Sequence, residues 1–138
     1  MSNLSAVWAA QGLRIKGALR IVAAFMFLTA GTVKLFAFPV PMPGGVQVHV
    51  LSQVGIGGIL EVVGGTLLLL GLFTRPVAFL LAGEMAVAYF QFHAPNGFWP
   101  VVNQGQPAVL YCWIWLYYSA TGPGAWSLDA LRRPSATV

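Results

Sequence analysis

VGIGGILEVVGGTLLLLGLF (Val54–Phe73) carries one charged side chain, Glu61, in twenty residues. At about 1.5 Å per residue, a helix of that length matches the roughly 30 Å hydrocarbon core of a bilayer. A helix also pairs every backbone N–H and C=O within itself, which lipid demands of any segment crossing it. The stretch therefore predicts a membrane-spanning helix. The rest of the chain is built in the same way: 58% of its 138 residues are apolar and 7% are charged. A soluble domain carries roughly a quarter charged residues to cover its surface. Further apolar runs occupy residues 18–38, 76–92 and 107–121. The last is short, but Trp113, Trp115, Tyr117 and Tyr118 suit an interfacial end. The expected fold is an all-α integral-membrane four-helix bundle, one domain over residues 1–138, with spans at about 18–38, 54–73, 76–92 and 107–121.

Punctuation separates the runs. Phe38-Pro39 through Pro43-Gly44-Gly45 holds three prolines and two glycines, which ends the first helix. Thr74-Arg75-Pro76 predicts a tight turn with Pro76 at the first position of the third helix. Ala94-Pro95-Asn96-Gly97 closes that helix, Pro107 opens the fourth, and Thr121-Gly122-Pro123-Gly124 ends it. The first apolar run lacks a small-residue cleavage site before a polar region, so it is expected to stay as a span.

Charge sets an expected orientation. Arg14, Lys16 and Arg20 precede the first span, Arg75 lies between the second and third, and Arg132 and Arg133 follow the fourth. The loops at 39–53 and 93–106 contain neither Lys nor Arg. The excess of basic residues on one side makes that side cytoplasmic, with both termini inside. The basic residues form no stripe with interleaved aromatics, which argues against nucleic acid as a partner. Membrane lipids and other membrane-protein subunits are the expected partners. Cys112 is the one cysteine, excluding an intrachain disulfide or a CxxC pair. Short interfacial helices are expected at both ends, one before Ala18 and one over Leu128–Arg133 capped by Ser127, with Trp126 as an anchor.

Charged groups inside spans are costly and need a partner or a watery cavity. Lys34 and Glu61 both fall in the expected outer half, at similar depth, and are expected to form an ion pair. Gly57, Gly58, Gly64 and Gly65 lie three and four residues either side of Glu61, on its helix face. Small residues allow a neighbouring helix to approach closely, so this face is expected to be buried against protein. Glu84 lies near the middle of the third span, with Gln91 seven residues on; it is either a hydrogen-bonding carboxyl or a proton relay. His93 is expected to hydrogen-bond near Asn103, Gln104 and Gln106. No metal site is expected from the two histidines. Cys112 suits a small buried position. Lys34, Glu61, Glu84, His93 and Gln106 together form the candidate polar site, most of it in the outer half.

Residues 19–34, with Gly31 and Lys34 near the end of the first span, resemble the opening segment of the DoxX family. Glu61-Val-Val-Gly64-Gly65 through Gly71-Leu-Phe-Thr74-Arg75 is similar to that family's second-span signature. Asn103-Gln-Gly105-Gln106 and Gly124-Ala-Trp-Ser127-Leu-Asp129 resemble its later motifs, so the likeness covers about residues 15–133. At Gln106 members often carry a glutamate, which this chain replaces. The resemblance implies a small four-helix protein of the bacterial inner membrane, often tied to redox enzymes, including subunits of a thiosulfate:quinone oxidoreductase. The expected role is an accessory, non-catalytic subunit of a quinone-linked redox complex, with no cofactor held through identifiable ligands. The alternatives are a quinone-binding oxidoreductase subunit using Glu61 and His93, and a small-molecule or proton conductor using Glu84 and Glu61.

Overall fold

A computed structural model describes residues 3–132, and every regular element in that range is helical. The first helix, α1 (Asn3–Phe36), is 34 residues long and unbroken. This corrects the expectation of a separate surface helix before Ala18. Gly12 and Gly17 are isolated, and a single glycine weakens a helix by only about 1 kcal/mol without breaking it. The helix stops where Ala37 turns to a φ of 52°, ahead of the prolines. At the second helix, α2 (Gln53–Leu70), Ser52 caps the start, its side chain accepting from the Gly55 N–H at 3.1 Å. Gly71 closes it in the left-handed region at φ 66°, where a residue without Cβ is unstrained.

The third helix, α3 (Thr74–Ala88), begins at Thr74. The turn is therefore Gly71-Leu72-Phe73, and Pro76 lies inside the first helical turn, where its missing N–H has no partner to lose. α3 stops short of the expected Phe92. Tyr89–His93 forms a π-turn, with the Ala94 N–H bonding back to Tyr89 O, followed by a 3-10 turn at Ala94–Asn96. Pro95 has no N–H and crowds the carbonyl four residues back, so the α pattern cannot continue there. The π-turn also takes Gln91 out of the seven-residue register with Glu84. A short helix, α4 (Pro100–Asn103), forms in what was expected to be loop. It leads into α5 (Gln106–Thr121), which starts one residue before Pro107. Finally α6 (Leu128–Arg132) follows Ser127, whose hydroxyl accepts from the Ala130 N–H at 3.3 Å. Arg133 lies outside the described residues.

Three helical stretches, Asn3–Phe36, Gln53–Leu70 and Thr74–Asn96, are long and apolar enough to cross a membrane. The chain groups into two compact units: one runs up to Thr74 and resumes at Pro123, and the other is Arg75–Gly122. In the first unit α1 and α2 pack antiparallel through glycines. A Cβ on Gly31 would lie 2.8 Å from Gly58 O, and one on Gly65 would lie 3.1 Å from the backbone of Leu28. Ala23, Ala24, Phe27 and Leu68 fill the apolar part of this unit. In the second unit the buried set is Ala78, Leu81, Ala82 and Met85 from α3 with Ala108, Trp115 and Tyr118 from α5.

Candidate functional site

The glycine-lined contact between α1 and α2 brings the first two predicted residues together. Lys34 Nζ lies 2.6 Å from Glu61 Oε1, a charge-assisted hydrogen bond. The pair is possible because Gly58 faces the stem of Lys34, with 3.2 Å between its would-be Cβ and Lys34 Cβ. Glu61 is buried, its side chain 3% exposed, while that of Lys34 keeps 24% of its surface accessible. Glu61 Oε2 is also buried and has no hydrogen-bond partner among the described residues. Gly58, Gly64 and Gly65 are buried as expected, whereas Gly57 is half-buried and Gly55 takes its place in the buried face. Gly58 and Gly65 meet α1 directly.

The other predicted residues belong to the second unit. Glu84 is half-buried on α3, Gln106 is exposed at the start of α5, and Cys112 is a free, half-buried thiol. His93 does meet the predicted loop: its Nδ1 is 3.0 Å from Asn103 O, and its ring stacks on Tyr89. Asn103 is buried and organises that loop. Its amide nitrogen donates to Gly97 O at 2.7 Å, and its Oδ1 accepts from the Gly105 N–H at 2.8 Å. Tyr89 adds a hydroxyl donated to Phe98 O at 3.0 Å. Gly105 is required there, since a Cβ would come within 2.7 Å of Asn103 Oδ1 and the Tyr89 ring. The Asn103–Gln106 motif thus closes a loop, and His93 is part of that closure. Among the described residues no group of three His, Cys, Asp or Glu side chains could hold a metal ion.

Two residues outside the candidate list bear more of the polar architecture than those on it. Arg20, one of the basic residues that set the expected orientation, is fully buried. Its Nε donates to Leu68 O at 2.9 Å, its Nη2 to Trp126 O at 2.7 Å, and its Nη1 to Pro123 O and Ala125 O. Leu68 is in the last turn of α2, so the guanidinium also meets the negative end of that helix dipole. The sequence did contain the signal. Gly17, Arg20, Ala23, Ala24, Phe27 and Gly31 are the buried residues of α1, spaced three and four apart, which puts Arg20 on the packed face.

Asp129 is the second. Its Oδ1 accepts from the Phe73 N–H and its Oδ2 from the Thr74 N–H, each at 2.9 Å, so it caps α3 from 55 residues away. Its own N–H donates to Gly71 O at 2.9 Å. Partial burial alone would raise the Asp129 pKa; hydrogen bonds from Thr74 and Phe73, with Arg132 nearby, outweigh that and hold it below the ordinary carboxylate value. Arg132 also lies over the Phe73 ring, 4.6 Å from its centroid. In the second unit Arg75 makes a matching closure, donating to Ser119 O and Ala120 O at the end of α5.

The DoxX family model matches residues 16–94, which contain Arg20, Lys34, Glu61, Glu84 and His93. A Haemophilus influenzae protein, described as uncharacterized, is 46% identical over 114 residues, covering 80% of this chain and 85% of its own length. An uncharacterized membrane protein of Mycobacterium tuberculosis is 31% identical over 142 aligned positions, covering 87% of this chain and 82% of its own. No solved structure matches the chain.

Proposed function

The chain belongs to the DoxX family of membrane proteins, and on that premise we propose that it is a non-catalytic, membrane-embedded subunit of a larger quinone-linked redox complex in the bacterial inner membrane. The redox-complex part of this reading rests on the family resemblance, and the observation that supports a structural role for the intramembrane charges is the Lys34–Glu61 pair. The two charges compensate each other across the α1–α2 contact at 2.6 Å and join the two helices there. The faces turned away from that contact are apolar and exposed, among them Val22, Phe25, Met26 and Val63, and they offer surface to lipid and to neighbouring subunits.

In this proposal α5 is a fourth span and both termini are cytoplasmic. The support is that Arg14, Lys16, Arg20, Arg75 and Arg132 all lie at the same expected side, and that residues 39–53 and 93–106 lack Lys and Arg. Mass spectrometry of proteins retained after mild-detergent purification from native membranes tests the role. A stoichiometric redox enzyme or quinone-reactive subunit is expected in the purified material. Recovery of this chain alone, under conditions that keep other respiratory assemblies intact, would sink the reading.

A further inference from the structure

Glu61 is nearly enclosed, yet only one of its two carboxylate oxygens has a partner. A buried acceptor left unpaired is costly, and costlier on a charged group. Beside it, the Lys34 ammonium carries three donors and gives one to Glu61 Oε1. Nearly a quarter of the Lys34 side-chain surface is accessible, so the ammonium is the exposed member of the pair and its four-carbon stem can swing. An unpartnered, enclosed acceptor and a partly exposed donor thus belong to one ion pair at one end of the α1–α2 contact. Gly31 and Gly58 leave no side chain of their own between the helices, and the Val62 and Leu35 side chains pack against them.

We infer that the Lys34–Glu61 pair is a binding site for the hydroxyl group of a membrane-soluble ligand. A hydroxyl is the small neutral group that both donates and accepts. It would donate to Glu61 Oε2 and accept from the Lys34 ammonium, satisfying both open positions without adding net charge to the span. A carbonyl or an ether supplies no hydrogen for Oε2 and leaves the acceptor unpaired. The inference needs no partner protein, so it stands or falls apart from the subunit role.

The test compares 4-hexylphenol with its methyl ether, two probes that differ in one donor hydrogen, on the full chain purified in detergent. Binding is read by ligand-observed saturation-transfer NMR. The phenol is expected to bind roughly tenfold tighter than the ether, as a hydrogen bond to a charged group predicts. In Glu61→Gln and in Lys34→Gln that preference should fall toward parity, with circular dichroism confirming the helical fold. Equal affinity for phenol and ether in the wild-type chain overturns the inference, and this arm needs no variant. An unchanged preference in Glu61→Gln overturns it as well. A second arm identifies the natural source of the hydroxyl. In nanodiscs, phosphatidylglycerol should compete with the phenol if lipid headgroups supply it. Equal phenol binding in phosphatidylglycerol and phosphatidylcholine discs assigns the site to a free ligand.

Discussion

Arg20 and Lys34 lie fourteen residues apart on α1, one at each end of its contact with α2, and the two ends treat a buried cation differently. Arg20 is fully enclosed and distributes its fork of donors over four carbonyls, three of them from the segment after α5. Lys34 is partly exposed and has a single carboxylate oxygen. The planar guanidinium suits several fixed acceptors, while the ammonium is a compact charge on a mobile stem. One end is a closed joint that locks segments distant in sequence. The other is a pair with open hydrogen-bonding positions on both members. The difference separates a closed structural joint from a pair with an unpartnered oxygen, and it assigns the larger share of stability to the Arg20 end.

The sharpest way to break this comparison is Arg20→Ala. Removing the guanidinium takes the donor from the carbonyls of Pro123, Ala125 and Trp126 and leaves Leu68 O with the Gly71 N–H alone, at an expected cost of about 3–5 kcal/mol, the range for breaking a buried charged network. Thermal unfolding in detergent measures it, and Arg20→Lys should recover less than half because it cannot reproduce the fork. A loss no greater than that from Lys34→Ala would remove the asymmetry. Next in size is Glu61→Ala, which leaves an ammonium in a span at about 2–3 kcal/mol. The double variant Lys34→Met/Glu61→Met should be more stable than Glu61→Ala, since no charge is then stranded. A double variant that is the least stable of the three would show that the pair contributes net stability rather than specificity.

The smallest expected effect concerns Asp129, which caps α3 from the same segment that Arg20 holds. Asp129→Asn should cost about 1 kcal/mol, as for the loss of a helix cap. Its folded-state pKa is depressed, so its contribution is complete above the ordinary value and is lost as pH falls through the lower, folded-state value. Stability of the wild-type chain should therefore decline below roughly pH 4, and Asp129→Asn should flatten that decline. Hydrogen exchange at the Phe73 and Thr74 amides sharpens the link between the two residues. Faster exchange there in Arg20→Lys, with Asp129 intact, is the expected sign that Arg20 and the cap act together.

Much of the helical plan was legible because lipid allows few alternatives. Apolar length marks a span, and clusters of proline and glycine mark its ends, as at Pro39–Gly45 and Gly122–Gly124. The Lys34–Glu61 pair was legible for the same reason, since two opposite charges at similar depth have strong cause to meet. The role of Arg20 was obscured by the rule that read it: counting basic residues by side ignores which of them point inward. Asp129 was hidden by distance, because a cap donated across 55 residues leaves no local spacing to detect. The π-turn at Tyr89–His93 was equally unreadable, since proline predicts that a helix will end but not how its last turn unwinds.

The segment that completes Arg20 also has a consequence in time. Translation makes Arg20 more than a hundred residues before Pro123, Ala125 and Trp126. Until those carbonyls leave the ribosome, the bonds from the guanidinium to Pro123, Ala125 and Trp126 cannot form. Closure of the Arg20 joint thus waits until Trp126 has been made, so one end of the α1–α2 contact is finished by residues translated long after both helices.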